Sequence, residues 1–375
     1  MIRPRAVIEQ MPGYTPGRSE FQVRRETGVA DIVKLASNES LWGPSPLAVA
    51  AAQQSLTAIA RYPEVRPPKL LARLAAVHGL ATEETVVGNG ADELLRLLAA
   101  AYLEPGLEAV MPTPSFSQYA YATRLAGGTP VPVTITPDGR MDLAAIAAAL
   151  TPATRLVYLC SPNNPTGGII RQAEWEGFLR ALPDHVLVVF DAAYHEFIED
   201  PEAADVAASI RQQAPVVMIR TFSKIYGLAG LRVGWAAGPP DVMATLQKTR
   251  EPFSVNVVAE AAATAALGDQ DYVSQVRIHT LAARRRFVQC VAERDLVCYP
   301  SQANFVTLAT DGDPREVARR LEQQGIVVRP TTSFGLDRHI RVTLAPAPVM
   351  ARFWEAWDAV AGRQPLPVDN VRKTP

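Results

Sequence analysis

The chain has 375 residues, and 48% of them are hydrophobic, which excludes a peptide-sized binding module and a disordered chain. Its 37 Lys and Arg residues balance 38 Asp and Glu residues, so the composition argues against a nucleic-acid partner. Three cysteines are too few for a disulfide framework, and no stretch reaches the roughly 18 uncharged apolar residues that span a bilayer. We therefore expect a cytoplasmic protein with no metal centre and no membrane partner.

The N-terminal half of the chain predicts an arm followed by a large α/β unit. Proline and glycine are frequent in the first 45 residues, where little periodicity is visible, and this predicts an extended arm. From about residue 85, short apolar runs alternate with amphipathic segments, and several runs are apolar at consecutive positions, as in a mostly parallel sheet buried on both faces. The predicted strands are 85–88, 108–111, 130–134, 155–160, 186–190, 216–220 and 232–237, and the predicted helices are 91–103, 116–126, 142–150 and 172–182.

The pattern changes beyond about residue 255. A long charged helix is predicted over 272–294, followed by strands over 296–300, 304–309, 326–328 and 339–344 and by helices over 314–324 and 347–360. We therefore predict three parts, with the arm associated with the smaller unit: an arm over 1–45, a large α/β domain over 46–255 and a smaller α+β domain over 256–375.

Polar segments come directly after three of the predicted strands, at 161–168, 191–197 and 220–235. Because an open α/β sheet binds its ligands at the carboxyl ends of its strands, we expect these segments to line one crevice. A fourth segment, GNGADELL at 88–95, joins a strand to a helix, and its backbone amides suit an anion, although tight turns need such glycines in any case. It lacks the GxGxxG pattern, so a nicotinamide dehydrogenase is disfavoured.

Lys224 lies just past the predicted strand 216–220. Burial and a nearby cation lower the pKa of a lysine, and the neutral amine can then form a Schiff base. A lone lysine in this position is more often an ordinary surface residue. Thr221 and Arg232 belong to the same loop, however, and a hydroxyl, an amine and a guanidinium together suit a phosphate-bearing ligand.

Asp191 ends an apolar strand, where a carboxylate is costly unless a cation or hydrogen-bond donors meet it. It is either a helix N-cap or turn acceptor, or the partner of a protonated ring nitrogen, an ion pair of about 5 kcal/mol at about 3 Å before desolvation. Tyr194 and Asn164 would then donate to an oxygen of the same ring. The alternatives for these two residues are a core tyrosine and a plain Asn-Pro turn.

Together these segments resemble the pyridoxal-phosphate aminotransferases of fold type I, and most closely the histidinol-phosphate aminotransferase family. The ordered matches run nearly from end to end: YTPG from Tyr14, KLASNES from Lys34, RYPE from Arg61, GNGADE from Gly88, PSFSQY from Pro114, SPNNPTG from Ser161, DAAY from Asp191, TFSKIYGLAGLRVGW from Thr221, REPFSVN from Arg250 and IRVTLA from Ile340. The resemblance implies a fold type I transferase, with a mostly parallel sheet in its large domain and a smaller α+β C-terminal domain. It also implies pyridoxal 5′-phosphate as the cofactor.

The same resemblance implies a role for each cofactor-binding residue. Lys224 would form the Schiff base and shuttle the proton, while Asp191 would hold the pyridinium. Tyr194 and Asn164 would bond the ring hydroxyl, and Phe116 would stack on the ring. The phosphate would be bound by Ala91, Asp92, Thr221, Ser223 and Arg232, and by Tyr62 from the neighbouring subunit, which implies a homodimer with shared active sites.

The resemblance also implies four substrate-binding residues. Arg341 would bind the substrate carboxylate or phosphate, Arg329 would be a second anion-binding arginine, and Tyr14 and Asn38 would line the pocket. The alternative for each arginine is a surface ion pair at a strand edge. The sequence departs from the family's usual Glu, aliphatic residue and Asn at Ala192, His195 and Ser40, and these departures leave the substrate open.

The implied reaction is transamination between histidinol phosphate and 2-oxoglutarate by a ping-pong mechanism. Three alternatives stay open. The first is an aromatic amino acid aminotransferase for phenylalanine or tyrosine, which shares the segment around Lys224. The others are a decarboxylase of phosphothreonine with the same fold, and a non-catalytic binding protein.

Overall fold

A computed structural model describes residues 2–11 and 17–362 of the chain. Its strands are β1 (Val33–Lys34), β2 (Thr85–Gly88), β3 (Glu108–Thr113), β4 (Thr129–Thr134), β5 (Thr154–Cys160), β6 (Leu187–Asp191), β7 (Val216–Thr221), β8 (Gly234–Ala237), β9 (Phe305–Ala309), β10 (Ile326–Val327), β11 (Arg329–Pro330) and β12 (His339–Thr343). Its helices are α1 (Ala6–Gln10), α2 (Glu20–Thr27), α3 (Pro46–Ser55), α4 (Pro68–His78), α5 (Ala91–Tyr102), α6 (Gln118–Ala126), α7 (Leu143–Ala148), α8 (Gln172–Arg180), α9 (Val206–Arg211), α10 (Pro240–Thr249), α11 (Val257–Gly268), α12 (Gln270–Ala292), α13 (Pro314–Glu322) and α14 (Ala347–Ala361). Within these residues, no helix has both the length and the apolar character needed to cross a bilayer.

A central sheet of seven strands has the order β2-β8-β7-β6-β5-β3-β4. Strand β8 is antiparallel to both of its neighbours, whereas the other neighbouring strands run parallel. Every residue of β6 and β7 is buried, because helices cover both faces of the sheet, and this accounts for their consecutive apolar residues. The predicted α/β fold with a mostly parallel sheet is confirmed.

The strands predicted over 232–237 and 296–300 differ from the structure in ways that local backbone chemistry explains. Strand β8 begins at Gly234 rather than at residue 232, because Arg232 has a φ of 57° and lies in the left-handed region that a strand cannot accommodate. The strand predicted over 296–300 is reduced to an isolated bridge between Cys298 and Leu308. Pro300 follows this bridge and lacks the amide hydrogen that a longer ladder needs.

The N-terminal arm is not extended throughout, since it contains helices α1 and α2. At the start of α2, the Ser19 side chain accepts a hydrogen bond from the Gln22 amide, and Gly28 ends the helix with a φ of 74°. Further along the arm, Val33 pairs in parallel with Ile326 of β10. This pairing joins the arm to the C-terminal part of the chain.

Most of the buried apolar side chains belong to one of two cores. The larger core surrounds the central sheet and continues through α11 to Val276 in α12, while the second lies between the rest of α12, α13, α14 and the sheet β11-β12-β9. Helix α11 packs on α3, so the large unit reaches past residue 255. We propose the predicted three parts, arm, large unit and small unit, with the boundary between the two units moved from residue 255 into α12, where the buried side chains pass from one core to the other.

The central sheet places the functional loops. Strands β5, β6 and β7 are neighbours, with Cys160 beside Asp191 and Asp191 beside Ile219, so their carboxyl ends lie side by side. The polar segments that follow these strands therefore meet at one edge of the sheet, where α/β folds bind their ligands.

Candidate active site

A cavity of about 640 Å³ opens at this edge of the sheet. Thirteen of the predicted site residues line it: Asn38, Ala91, Asp92, Phe116, Asn164, Asp191, Tyr194, Thr221, Ser223, Lys224, Arg232, Arg329 and Arg341. Their positions in the chain span more than 300 residues, so the fold gathers them from the arm, the large unit and the small unit. Tyr62 is not among the lining residues, and Tyr14 lies outside the described residues.

Lys224 points its amine into this cavity. The Nζ atom donates a hydrogen bond to the main-chain oxygen of Ser37, at 3.1 Å, and lies 5.6 Å from the centre of the Tyr194 ring. Burial, followed by the charge of Arg341, lowers the pKa of Lys224 to about 8. Roughly one amine in ten is therefore neutral near neutral pH, and a nucleophile or a proton acceptor must be in this form.

Asp191 is buried at the end of β6 and is met by two donors. Its Oδ2 atom accepts a hydrogen bond from the Tyr119 hydroxyl at 2.8 Å, and its Oδ1 atom accepts one from the Ala193 amide at 3.0 Å. Burial raises the pKa of Asp191 to about 6, while these two hydrogen bonds act against that rise. The carboxylate is therefore mostly ionised near neutral pH and suits a cationic ring nitrogen.

Tyr194 and Asn164 are both held by residues from other parts of the chain. The Asn38 side-chain amide donates to the Tyr194 hydroxyl at 3.0 Å, which leaves the tyrosine's own proton available to a ligand. The Oδ1 atom of Asn164 accepts from the Arg341 guanidinium, which also donates to the Ala36 main-chain oxygen at 2.7 Å. Arg341 is 5% exposed, so the surface ion pair that we considered for it is wrong.

A cradle for an anion lies between the start of α5 and the loop after β7. Ala91 and Asp92 open α5, and the preceding Gly90 has a φ of 78°. A Cβ atom at Gly90 would come within 2.6 Å of the Arg232 Nη2 atom, so the glycine keeps the guanidinium close to the helix terminus. The Thr221 hydroxyl accepts a hydrogen bond from the Ser223 amide, and its own proton remains available for an anion.

Tyr62 lies outside the cavity and on the surface. Its side chain is 83% exposed and stacks on Phe253, with ring centres 4.7 Å apart. The structure does not bring Tyr62 to the cavity of its own chain, so its predicted contact with a phosphate of the neighbouring subunit stays a prediction.

Sequence reasoning missed two residues of the site. Tyr119 contacts Asp191, but on the amphipathic helix α6 it has the pattern of an ordinary core aromatic. Arg124, one turn further along α6, lines the cavity and forms no ion pair with any described residue. Its spacing from Phe116 and Ala120, which also line the cavity, is the helical signal that would have found it.

The three departures from the family pattern lie away from the cavity lining. Ala192 is buried beside Asp191, while Ser40 and His195 are also absent from the lining residues. The neighbouring Arg220 charge and then burial lower the pKa of His195 to about 4, so this histidine is neutral near neutral pH. None of these three side chains therefore lines the cavity directly.

Residues 30–356 match the family model for aminotransferase class I and II. The chain belongs to this family. It is 43% identical to a histidinol-phosphate aminotransferase of Moorella thermoacetica, over 91% of this chain and 88% of the relative. It is also 41% identical to one of Symbiobacterium thermophilum, over 96% and 99% of the two chains.

Solved structures agree with the family assignment. The crystal structure of histidinol-phosphate aminotransferase from Sinorhizobium meliloti in complex with pyridoxal 5′-phosphate is 30% identical, with a TM-score of 0.88 over 96% of this chain and 98% of that chain. Aspartate aminotransferase from Thermus thermophilus with maleate, at 24% identity and a TM-score of 0.83 over 96% and 100%, shares the fold. The aminotransferase thus has the predicted fold type I, and pyridoxal 5′-phosphate is its cofactor.

The cavity residues fit this cofactor. The cradle around Gly90 offers backbone amides, hydroxyls and a guanidinium, which is the donor set that a phosphate requires. Asp191 offers a buried carboxylate for the ring nitrogen, and the amine of Lys224 projects into the same cavity. Phosphate donors, carboxylate and amine therefore share one space, as a phosphorylated pyridine aldehyde requires.

Proposed function

We propose that this aminotransferase transfers the amino group of histidinol phosphate to 2-oxoglutarate through Lys224. The observation that carries the proposal is the charge of the cavity. Among the described residues its lining holds five cations, Arg124, Lys224, Arg232, Arg329 and Arg341, and three carboxylates, Glu39, Asp92 and Asp191. Because Arg232 belongs to the phosphate cradle, Arg329 and Arg341 remain to attract an anionic substrate, and the relatives named histidinol-phosphate aminotransferases support the choice of a phosphorylated substrate.

Lys224, Asp191 and Tyr194 have different proposed roles in the reaction. Pyridoxal 5′-phosphate, when bound, supplies an aldehyde that condenses with amines and a ring that withdraws electrons from the substrate. Lys224 would accept the proton from the substrate Cα, because burial keeps part of its Nζ population neutral, and would carry that proton to the cofactor carbon C4′. Asp191, held by Tyr119, would keep the proton on the ring nitrogen, and Tyr194, whose hydroxyl accepts from Asn38, would donate its own proton to the ring oxygen.

Substrate anions would bind on the side of the cavity opposite the phosphate cradle. Arg341 and Arg329 face each other across neighbouring strands β12 and β11, where they are paired in register. Two guanidinium groups at this spacing suit a phosphate in one half-reaction and carboxylates in the other. Arg341 donates a hydrogen bond to Asn164, which is also predicted to contact the cofactor ring. Binding of a substrate anion by Arg341 would therefore affect the contact between Asn164 and the ring.

Formation of glutamate from purified protein, histidinol phosphate and 2-oxoglutarate tests this function. The wild-type chain should produce glutamate, and Lys224→Ala should lower the rate by at least about 10³-fold, because the proton acceptor is lost. Lys224→Arg keeps the positive charge as a control and should be equally inactive. Turnover by the alanine variant would exclude the proposal.

An aromatic amino acid aminotransferase is the second candidate. Phe116, Tyr121 and Phe334 line the same cavity and offer apolar surface for an aromatic side chain. The ratio of kcat/KM for histidinol phosphate and phenylalanine separates the two functions. Arg329→Ala should lower kcat/KM for histidinol phosphate by at least about tenfold more than for phenylalanine, and equal losses would contradict a phosphate role for Arg329.

We further propose a cytoplasmic homodimer with shared active sites. Exposed apolar side chains cluster near Tyr62: Leu56 is 53% exposed, Ile59 64% and Val65 46%. A second copy of the chain would cover such a patch and carry Tyr62 toward its neighbour's phosphate cradle. All three cysteines, Cys160, Cys290 and Cys298, are unpaired, which supports a reducing compartment.

A further inference from the structure

Tyr119 is the last residue of the PSFSQY segment and lies just behind the lining of the active-site cavity, and the sequence assigns it no role. It is 1% exposed and follows Phe116, which lines the cavity, by one helical turn at the start of α6. Its hydroxyl donates to the Oδ2 atom of Asp191 at 2.8 Å, across 72 residues of sequence. Tyr119 therefore donates to one Asp191 oxygen from behind the cavity lining, since its own side chain is not among the lining residues.

Packing fixes the tyrosine ring in this position. The ring stacks on Tyr158, with centres 5.0 Å apart and an angle of 11° between planes, and meets the ring of Phe116 edge-on at 5.7 Å. Burial raises the pKa of Tyr119 well above its ordinary value, so the hydroxyl keeps its proton at any working pH. An ionised carboxylate only accepts hydrogen bonds, and Tyr119 is thus a permanent donor to Asp191.

The surroundings of Asp191 show why a donor matters. Burial raises the pKa of Asp191, and two hydrogen bonds lower it. The bond from the Tyr119 hydroxyl lowers this pKa more than the bond from the Ala193 amide does. The titratable groups that face Asp191 come from five different parts of the chain: Tyr119 of α6, Asp92 of α5, Cys160 of β5, Tyr194 after β6 and Lys224 after β7. Of these, Lys224 is the other group that lowers the pKa, and its positive charge lies inside the cavity.

We propose that Tyr119 is a positioning residue for the cofactor, because its hydroxyl keeps Asp191 ionised and turned toward the ring nitrogen of pyridoxal 5′-phosphate. The inference rests on the proposed role of Asp191. The segment that opens α6 then serves the cofactor twice, through the ring of Phe116 just before the helix and through the hydroxyl of Tyr119 in its first turn. The two hydrogen bonds also fix the plane of the carboxylate, since each holds one of its oxygens.

Infrared titration of the full-length protein without cofactor tests the first half of this proposal. The carboxyl band of Asp191 is identified by difference from Asp191→Asn, and its titration midpoint is compared in wild type, Tyr119→Phe and Tyr158→Phe. We expect Tyr119→Phe to raise the pKa of Asp191 by about one unit, because a donor to the charged form is lost. Tyr158→Phe is the matched control, since its hydroxyl also lies buried in the same ring stack but has no hydrogen bond to Asp191 among the described residues.

Cofactor affinity as a function of pH tests the second half. If the ionised carboxylate is the binding form, the dissociation constant for pyridoxal 5′-phosphate should be about fivefold weaker in Tyr119→Phe than in wild type at about pH 6, and nearly equal at about pH 8. If Tyr119→Phe only loosened the packing, it would weaken binding of pyridoxal 5′-phosphate by the same factor at both pH values. Circular dichroism and thermal unfolding of each variant confirm that the compared proteins are folded.

The outcomes separate this inference from the proposed function. An unchanged pKa of Asp191 in Tyr119→Phe, or a loss of affinity that does not depend on pH, would overturn the role of Tyr119 and leave the reaction untouched. Full cofactor affinity in Asp191→Asn would instead remove the proposed role of Asp191. A raised pKa together with a pH-dependent loss of affinity would support both roles.

Discussion

Lys224 and Asp191 are the two residues whose charges the fold adjusts most directly for the reaction. Burial is the main cause in both cases, and it moves the pKa of Lys224 to about 8 and that of Asp191 to about 6. Near neutral pH roughly one amine in ten is then neutral, while the carboxylate is mostly ionised. One buried environment thus suits both proposed roles, Lys224 as the proton acceptor and Asp191 as the counter-ion of the ring.

The rate of cofactor capture should report the pKa of Lys224. Since only the neutral amine attacks an aldehyde, the rate at which cofactor-free protein captures pyridoxal 5′-phosphate should rise with pH and level off above about pH 8. Arg341→Gln removes a positive charge that lowers this pKa, and its curve should shift to higher pH, whereas Arg341→Lys should stay close to wild type. Stopped-flow absorbance measures these rates. A midpoint near the ordinary lysine value in the wild-type protein would contradict the described environment.

At the scale of elements, the loops at the ends of β5, β6 and β7 were the most predictable part of the molecule. Their strands are buried on both faces, so consecutive apolar residues located them to within one residue at each carboxyl end. The contacts of Asn38 with Tyr194 and of Tyr119 with Asp191 were not predictable, because each joins side chains far apart in sequence. Hydrophobic periodicity carries no information about such pairs.

The turn between β2 and α5 offers a test at this scale. Gly90→Ala should weaken binding of pyridoxal 5′-phosphate by about tenfold, because the added methyl group would displace the Arg232 guanidinium from the phosphate cradle. Gly79→Ala is the control: Gly79 also has a positive φ, of 62°, but a Cβ atom there meets nothing within 4 Å. Both variants should lose roughly 1 kcal/mol or more of folding stability. Equal cofactor affinity in the two variants would argue against the cradle.

The whole molecule builds its site from parts that belong to different cores. The side-chain amide of Asn38, in the arm, donates to the Tyr194 hydroxyl of the large unit. The main-chain amide of Asn38 donates to the Thr343 hydroxyl of the small unit at 3.0 Å. Arg284 of α12 donates to the main-chain oxygens of Phe197 and Ala303, at 3.0 and 3.2 Å. The segment after Tyr194 is thus tied to the small unit. Movement between the units would therefore reach the ring-binding residues directly.

The proposed dimer makes a prediction for the surface around Tyr62. Tyr62→Phe keeps the apolar patch and removes only a hydroxyl, so it should remain dimeric while binding pyridoxal 5′-phosphate several-fold more weakly. Ile59→Asp places a charge in the patch and should give monomers. Sedimentation velocity and cofactor titration measure the two effects. A monomeric wild-type protein would exclude the shared site, and unchanged affinity in Tyr62→Phe would exclude its contact with the phosphate.

The half-reaction with histidinol phosphate tests the central claim most directly. Protein loaded with pyridoxal 5′-phosphate is mixed with excess histidinol phosphate without any keto acid, and imidazole acetol phosphate is quantified. The ping-pong mechanism predicts about one equivalent of this product per bound cofactor, followed by a stop until 2-oxoglutarate is added. Absence of keto product from histidinol phosphate, together with release of CO2 from phosphothreonine, would contradict the account and assign the same residues to a decarboxylase.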